Sequence, residues 1–161
     1  MTGPRASRMI EDWFAESQRA PEQARREWAD TGVALLPLGT RFAAVRLAEA
    51  LVHAAVDTTQ PQELAACLTR LLNGPVIFDG RTMGGTYYAL MRPRLGSPWK
   101  HQGIAPRLGA GTYLGVPRLD RREPPGTYWT VPPRFEGDLC APRAVESLIV
   151  HAVSASREAE Q

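Results

Sequence analysis

Three arginines within five residues, Arg118, Arg121 and Arg122, stand between two aromatic segments, Gly111–Pro117 (GTYLGVP) and Gly126–Pro132 (GTYWTVP). A guanidinium presents a planar fork of N–H donors that matches phosphate oxygens, and tyrosine or tryptophan rings offer faces on which bases stack. The same pattern describes two strands joined as a hairpin whose rings pack across it. The basic residues extend beyond the loop. Arg81, Arg92, Arg94, Lys100, Arg107, Arg118, Arg121, Arg122 and Arg134 face only Asp120 and Glu123 within their own segment, a balance of +7. The rest of the chain carries −5, for a total of +2. Abundant arginine explains 18 Arg against one Lys, but not why acids are nearly absent from one third of the chain. Such segregation points to a face that meets a polyanion. These nine residues together with Trp129 are the candidate nucleic-acid-binding set.

Residues for acid–base or metal chemistry are sparse. His53, His101 and His151 are far apart and match no ligand spacing. His53 and His151 read as helix residues, whereas His101, beside Trp99 and Lys100 in a loop, is placed for contact. Cys67 and Cys140 are too few for a disulfide framework and read as buried reduced thiols in apolar helical contexts. No nucleophile elbow, phosphate-binding loop or dinucleotide fingerprint follows a strand, and the glycines of Arg81–Gly85 read as a hairpin turn. No catalytic residue, metal or cofactor is expected.

The elements that must position these residues alternate along 161 residues, enough for one domain with a sizeable core. Helical spacing predicts helices over Ser7–Ala20, Pro21–Asp30, Leu47–Val56 and Pro61–Leu72, and a closing helix from Pro142 with Val145, Leu148, Ile149 and Ala152 inward. Val33–Leu38 reads as a strand with Arg41–Val45 returning as its partner. Pro75–Asp79 and Thr86–Met91 read as a second hairpin, and a Pro/Gly-rich connection, residues 93–109, leads to the two aromatic strands. The expected fold is a single α+β domain over residues 1–161, with residues 1–20 as an N-terminal helical extension and a mainly antiparallel sheet packed by helices. No run reaches the ~18 apolar residues of a membrane span, and Met1–Arg8 is polar with no apolar signal core. The expected location is therefore the cytoplasm, without membrane contact.

Several segments occur in a telling order: Trp28-Ala-Asp-Thr-Gly-Val-Ala-Leu-Leu-Pro-Leu38, Gly84-Gly-Thr-Tyr-Tyr-Ala-Leu-Met91, Gly103-Ile-Ala-Pro-Arg-Leu-Gly-Ala-Gly-Thr-Tyr-Leu-Gly-Val-Pro117 and Gly126-Thr-Tyr-Trp-Thr-Val-Pro-Pro133. Their succession resembles the bifunctional DNA primase/polymerase N-terminal (prim-pol) domain of bacterial plasmids and phages, in patches over about half of the chain; short proteins of high-GC bacteria look similar overall. The resemblance implies a prim-pol-like α+β fold. In that family a "GGxHxYF" strand carries a catalytic histidine and a later "GVDVRGxGGYVVxPP" block carries a metal-binding aspartate. Here Tyr87 falls on the histidine strand and Ala105 on the aspartate, while Asp79 is alone where a pair of acids is expected. Two-metal phosphoryl transfer needs several carboxylates to hold cations about 4 Å apart, so the resemblance implies a catalytically degenerate relative.

What such a relative keeps is the cationic sheet. Tyr87, Tyr88, Tyr113, Tyr128 and Trp129 then offer stacking faces, although period-2 strands turn about half of them inward. The expected function is a non-catalytic, DNA-linked accessory or regulatory protein that binds DNA or a nucleotide through residues 81–134. The alternative is a protein–protein adaptor with no nucleic-acid contact.

Overall fold

Proline sets most of the helix starts. α1 (Pro4–Ala15), α2 (Pro21–Thr31), α4 (Pro61–Leu72) and α5 (Pro142–Ala159) each carry proline in the first turn, where a missing N–H leaves no helical bond unmade. α3 (Glu49–Val56) instead follows strand β2 (Ala43–Ala48) without a break. A computed structural model describes residues 3–81, 83–93 and 98–160. The remaining strands are β1 (Val33–Pro37), β3 (Val76–Asp79), β4 (Thr86–Met91), β5 (Arg107–Leu108), β6 (Tyr113–Pro117) and β7 (Thr127–Val131). Five strands form one antiparallel sheet in the order β5-β2-β4-β3-β7, and β1 and β6 form a separate antiparallel pair. The molecule is a single α+β domain. No described helix is long and apolar enough to cross a membrane.

Alternation along the strands divides the core in two. Val45 and Leu47 on β2, Val76 on β3 and Tyr87, Ala89 and Met91 on β4 face α3, α4 and α5, meeting Val52, Leu64, Leu68, Val145 and Ile149. Ala44, Ile77, Leu90 and Trp129 face the other way, onto α1, α2 and the β1–β6 pair, meeting Phe14, Trp28, Leu36 and Val116. The five-stranded sheet is thus a central layer, with helices on one face and the small sheet and two helices on the other. The chain passes tightly from α4 to β3 at Gly74. A Cβ there would stand 2.5 Å from the Cys140 nitrogen and 2.6 Å from the Leu139 carbonyl carbon, backbone atoms with no freedom to move aside.

Several expectations change. Arg41–Val45 does not return as the partner of β1. That partner is β6, in the register Val33↔Pro117 to Pro37↔Tyr113, while β2 pairs with β4 and β5. The strand continues through Leu47, which is buried in the sheet rather than helical. The two aromatic segments are not a hairpin either: β6 belongs to the small sheet and β7 borders β3 in the large one. α1 is no extension, because Ile10, Phe14 and Ala15 are buried in the second core. Cys140 is not helical but forms a bridge beside Met91, its N–H donating to the Leu90 carbonyl at 2.7 Å. β3 and β4 do pair as consecutive antiparallel strands.

Gly74→Ala should lower stability by about 3 kcal/mol, since overpacking against backbone cannot relax. Urea unfolding should show a lower midpoint at an unchanged slope; an unaltered midpoint would mean that the α4–β3 passage is looser than described.

Candidate functional site

The described basic residues are dispersed over several separate places. Arg81 and Arg121 line one groove of about 490 Å³ whose floor includes Val33, Leu35 and Gly115. Arg92 and Arg134 line a different cavity of about 430 Å³ beside Asp138 and Cys140. Arg107 lies over the Trp99 ring, 5.6 Å from its centroid, next to exposed Lys100. Arg94 lies outside the described residues.

Internal pairing occupies several of these guanidiniums. Arg81 makes a two-pronged contact with Asp79, Nε to Oδ1 and Nη2 to Oδ2, both at 3.0 Å, and its backbone N–H donates to the same carboxylate. Arg134 clamps buried Asp138 through Nε and Nη2 at 2.9 and 3.0 Å, and donates to the Asn73 side chain and carbonyl at the end of α4. Arg118 Nε donates to Asp120 at 2.7 Å. Arg121 and Arg122 have no acidic partner among the described residues. Arg121 is half-buried, laid against Gly32, while exposed Arg122 donates only to the Leu119 carbonyl. Trp129 leaves the candidate set. It is 1% exposed, and its indole N–H donates to the Pro117 carbonyl at 3.0 Å, so it has no face to offer a base.

A second groove, of about 500 Å³, opens on the helix face of the sheet. Phe78, Tyr87 and Tyr128 from three adjacent strands line it, with ring centroids 4.7 Å apart for Phe78–Tyr87 and 5.4 Å for Phe78–Tyr128. α3 contributes Glu49 and His53, one turn apart, and the loop before β7 contributes Arg122 and Glu123. Thr130 arrives there through a β-bulge: Val76 pairs with Val131 and Ile77 with Trp129, which leaves Thr130 without a cross-strand partner. Its buried hydroxyl makes no hydrogen bond. Gly85 permits the close approach of β4's entry to this site. Its φ is +64°, and a Cβ would fall 2.7 Å from Phe78 Cζ and 3.0 Å from Glu49 Oε2. Burial, and then the neighbouring Tyr128 and Glu49, raise the Tyr87 hydroxyl above the ordinary tyrosine range. Burial and then Glu49 raise Tyr128 in the same direction.

The prim-pol positions part company here. Tyr87 lines the aromatic groove and Ala105 is fully buried in the core. Asp79 points to the opposite face of β3, held by Arg81 and Thr127. Among the described residues, no three His, Cys, Asp or Glu side chains stand close enough to hold a metal ion. The sequence pointed to Tyr87 and Tyr128 as aromatics but not to Glu49, His53 or Thr130 as their neighbours; no local pattern marks a bulge or says which helix end will face which strand. No family model, no curated protein and no solved structure matches the chain.

Hydrogen bonds from Arg81 hold the Asp79 carboxyl below its ordinary range, against the opposing effect of its burial. A carboxylate depressed on folding contributes stability above its unfolded pKa, about 3.9, and loses it as pH falls through the folded value. The Arg81 side chain is 62% exposed, so solvent screens the pair to about 1 kcal/mol. The gap in thermal midpoint between wild type and Asp79→Asn should therefore be constant above pH ~5 and shrink below pH ~4. A gap that persists unchanged into strong acid would show that the carboxylate charge contributes nothing.

Proposed function

We propose that this protein is a non-catalytic nucleic-acid-binding accessory protein that contacts the phosphate backbone of single-stranded DNA through residues 81–134. The observation that carries the reading is the shared groove of Arg81 and Arg121, from positions 40 residues apart in sequence, lined also by apolar Val33 and Leu35 and by one acid, Glu27, which accepts from the Leu35 N–H. Guanidiniums beside an apolar floor suit a strand whose phosphates and bases alternate. Arg122, next in the loop, is exposed and without an acidic partner among the described residues, but it lines the groove on the other face of the large sheet. Across the segment the surplus of +7 supplies the long-range attraction. Kinship with prim-pol domains is part of the proposal, supported by motif order. Tyr87, Ala105 and the Arg81-bound Asp79 at that family's functional positions favour a relative without its polymerase chemistry, so the purified protein should not extend a primer with Mg²⁺ or Mn²⁺. A cytoplasmic setting suits the two free thiols.

A protein-adaptor reading has its own support. Leu35, which lines the same groove, and Tyr113 on the paired strand are 59% and 64% exposed, and exposed apolar side chains of this size suit a protein partner.

Replacing Arg118, Arg121 and Arg122 together by alanine should leave the thermal midpoint nearly unchanged, since loop residues carry little of the core. Fluorescence anisotropy with single-stranded DNA at two salt concentrations should show weaker binding and a salt dependence flatter by up to about three phosphate contacts. Equal binding by wild type and triple variant, or none by either at low salt, would remove the nucleic-acid reading in favour of the adaptor.

A further inference from the structure

We propose that the groove on the helix face binds an organic cation, an alkylammonium head group, against Phe78, Tyr87 and Tyr128 with Glu49 as its counter-ion. The inference is independent of the nucleic-acid reading, because this groove and the Arg81–Arg121 groove lie on opposite faces of the large sheet.

Charge is the first argument. Glu49 makes no ion pair among the described residues, although it sits in the first turn of α3, where the helix dipole favours an anion. The other acidic and basic side chains of the groove are Glu123 and Arg122, so the carboxylates outnumber the guanidinium by one. Arg122 stands on the rim with its Nε donating to the Leu119 carbonyl. One positive charge completes the site.

Shape is the second argument. The three rings do not stack flat on one another, with interplanar angles of 56° for Phe78–Tyr87 and 48° for Phe78–Tyr128; Tyr87 is only 6% exposed, so half-buried Phe78 and Tyr128 are the rings that present faces to the groove. Aromatic faces carry the negative end of the ring quadrupole and attract ammonium groups. At Gly85 a Cβ would stand 2.7 Å from the Phe78 ring edge and 3.0 Å from Glu49 Oε2, so the carboxylate and that ring are close neighbours. Both also line the groove. About 500 Å³ is within the range of small-molecule sites and too small for a folded partner.

An alkylammonium can be a free amine or the side chain of a modified lysine on a peptide, and the test separates them. Choline, its uncharged carbon isostere dimethylbutanol, and N-acetylated trimethyl-lysine amide are each titrated at neutral pH and constant ionic strength, with the tyrosine ring resonances as readout. Choline should shift the Tyr87 and Tyr128 signals saturably, with dimethylbutanol about tenfold weaker. Glu49→Gln should weaken choline about tenfold and leave dimethylbutanol unchanged, at a retained thermal midpoint. Tyr128→Leu, a second variant at a half-buried position, should also weaken choline. Tighter binding of the lysine derivative assigns a peptide-borne head group, and equal or tighter binding of choline assigns a free amine. Equal affinity for choline and its isostere, indifference to Glu49→Gln, or no saturable shift with either cation would overturn the proposal.

Discussion

The Trp129 indole holds the two sheets of this molecule together. It lies on β7 at the border of the five-stranded sheet, is almost fully buried, and donates its N–H to the Pro117 carbonyl at the end of β6. Its backbone N–H donates to the Arg121 carbonyl, and its ring packs 5.8 Å from Phe14 of α1. A single residue, through its side chain and its backbone N–H, therefore joins the large sheet, the small sheet, the arginine loop and the first helix. Trp28 acts in the same sense from α2, donating to the Val116 carbonyl at 2.9 Å. Both indoles find an acceptor while burying a large apolar body, the condition under which tryptophan is stable in a core.

With that joint fixed, the large sheet becomes a partition. Residues of one parity meet α3, α4 and α5, and those of the other parity meet the small sheet and α1. Phe78 and Asp79, neighbours in β3, consequently serve different grooves: Phe78 lines the aromatic one, and Asp79 anchors Arg81 at the cationic one. The bulge at Thr130 interrupts this parity at one point, placing Thr130 and Val131 on the same face as Tyr128.

How much of this was legible in the sequence depended on whether the determinant was local. Proline-led α2 and α4, the inward face of α5 and the β3–β4 pair follow from spacing alone. Strand partners do not. GTYLGVP and GTYWTVP look like mates because they are similar and close, yet Leu114 and Val116 find their counterparts in Leu36 and Ala34 respectively, some 80 residues away. Leu47 fitted a helical period, but its pairing with Tyr87 on β4 outweighs that preference and keeps it extended. Trp129 looked like a stacking platform because its burial is set by Phe14 and Pro117, neither of which is near in sequence. The arginine cluster was visible as a charge surplus and Asp120 as a local partner for the loop arginines, whereas the dispersal of the cluster and its pairing with Asp79 and Asp138 required the fold. Glu49 became a site residue only because Gly85 brings β4 against the start of α3.

The central claim is that the partition leaves the nucleic-acid contact on the small-sheet side, around Arg121, with Trp129 as structural joint. Titrating the ¹⁵N-labelled protein with a short single-stranded DNA and following amide and indole resonances tests it most directly. The account predicts shifts confined to the amides of Val33–Leu35, Gly115 and Arg118–Gly126, with the Trp129 indole N–H still protected from solvent exchange. Shifts centred on Arg92 and Arg134, or a Trp129 indole that becomes exposed and moves with DNA, would contradict it.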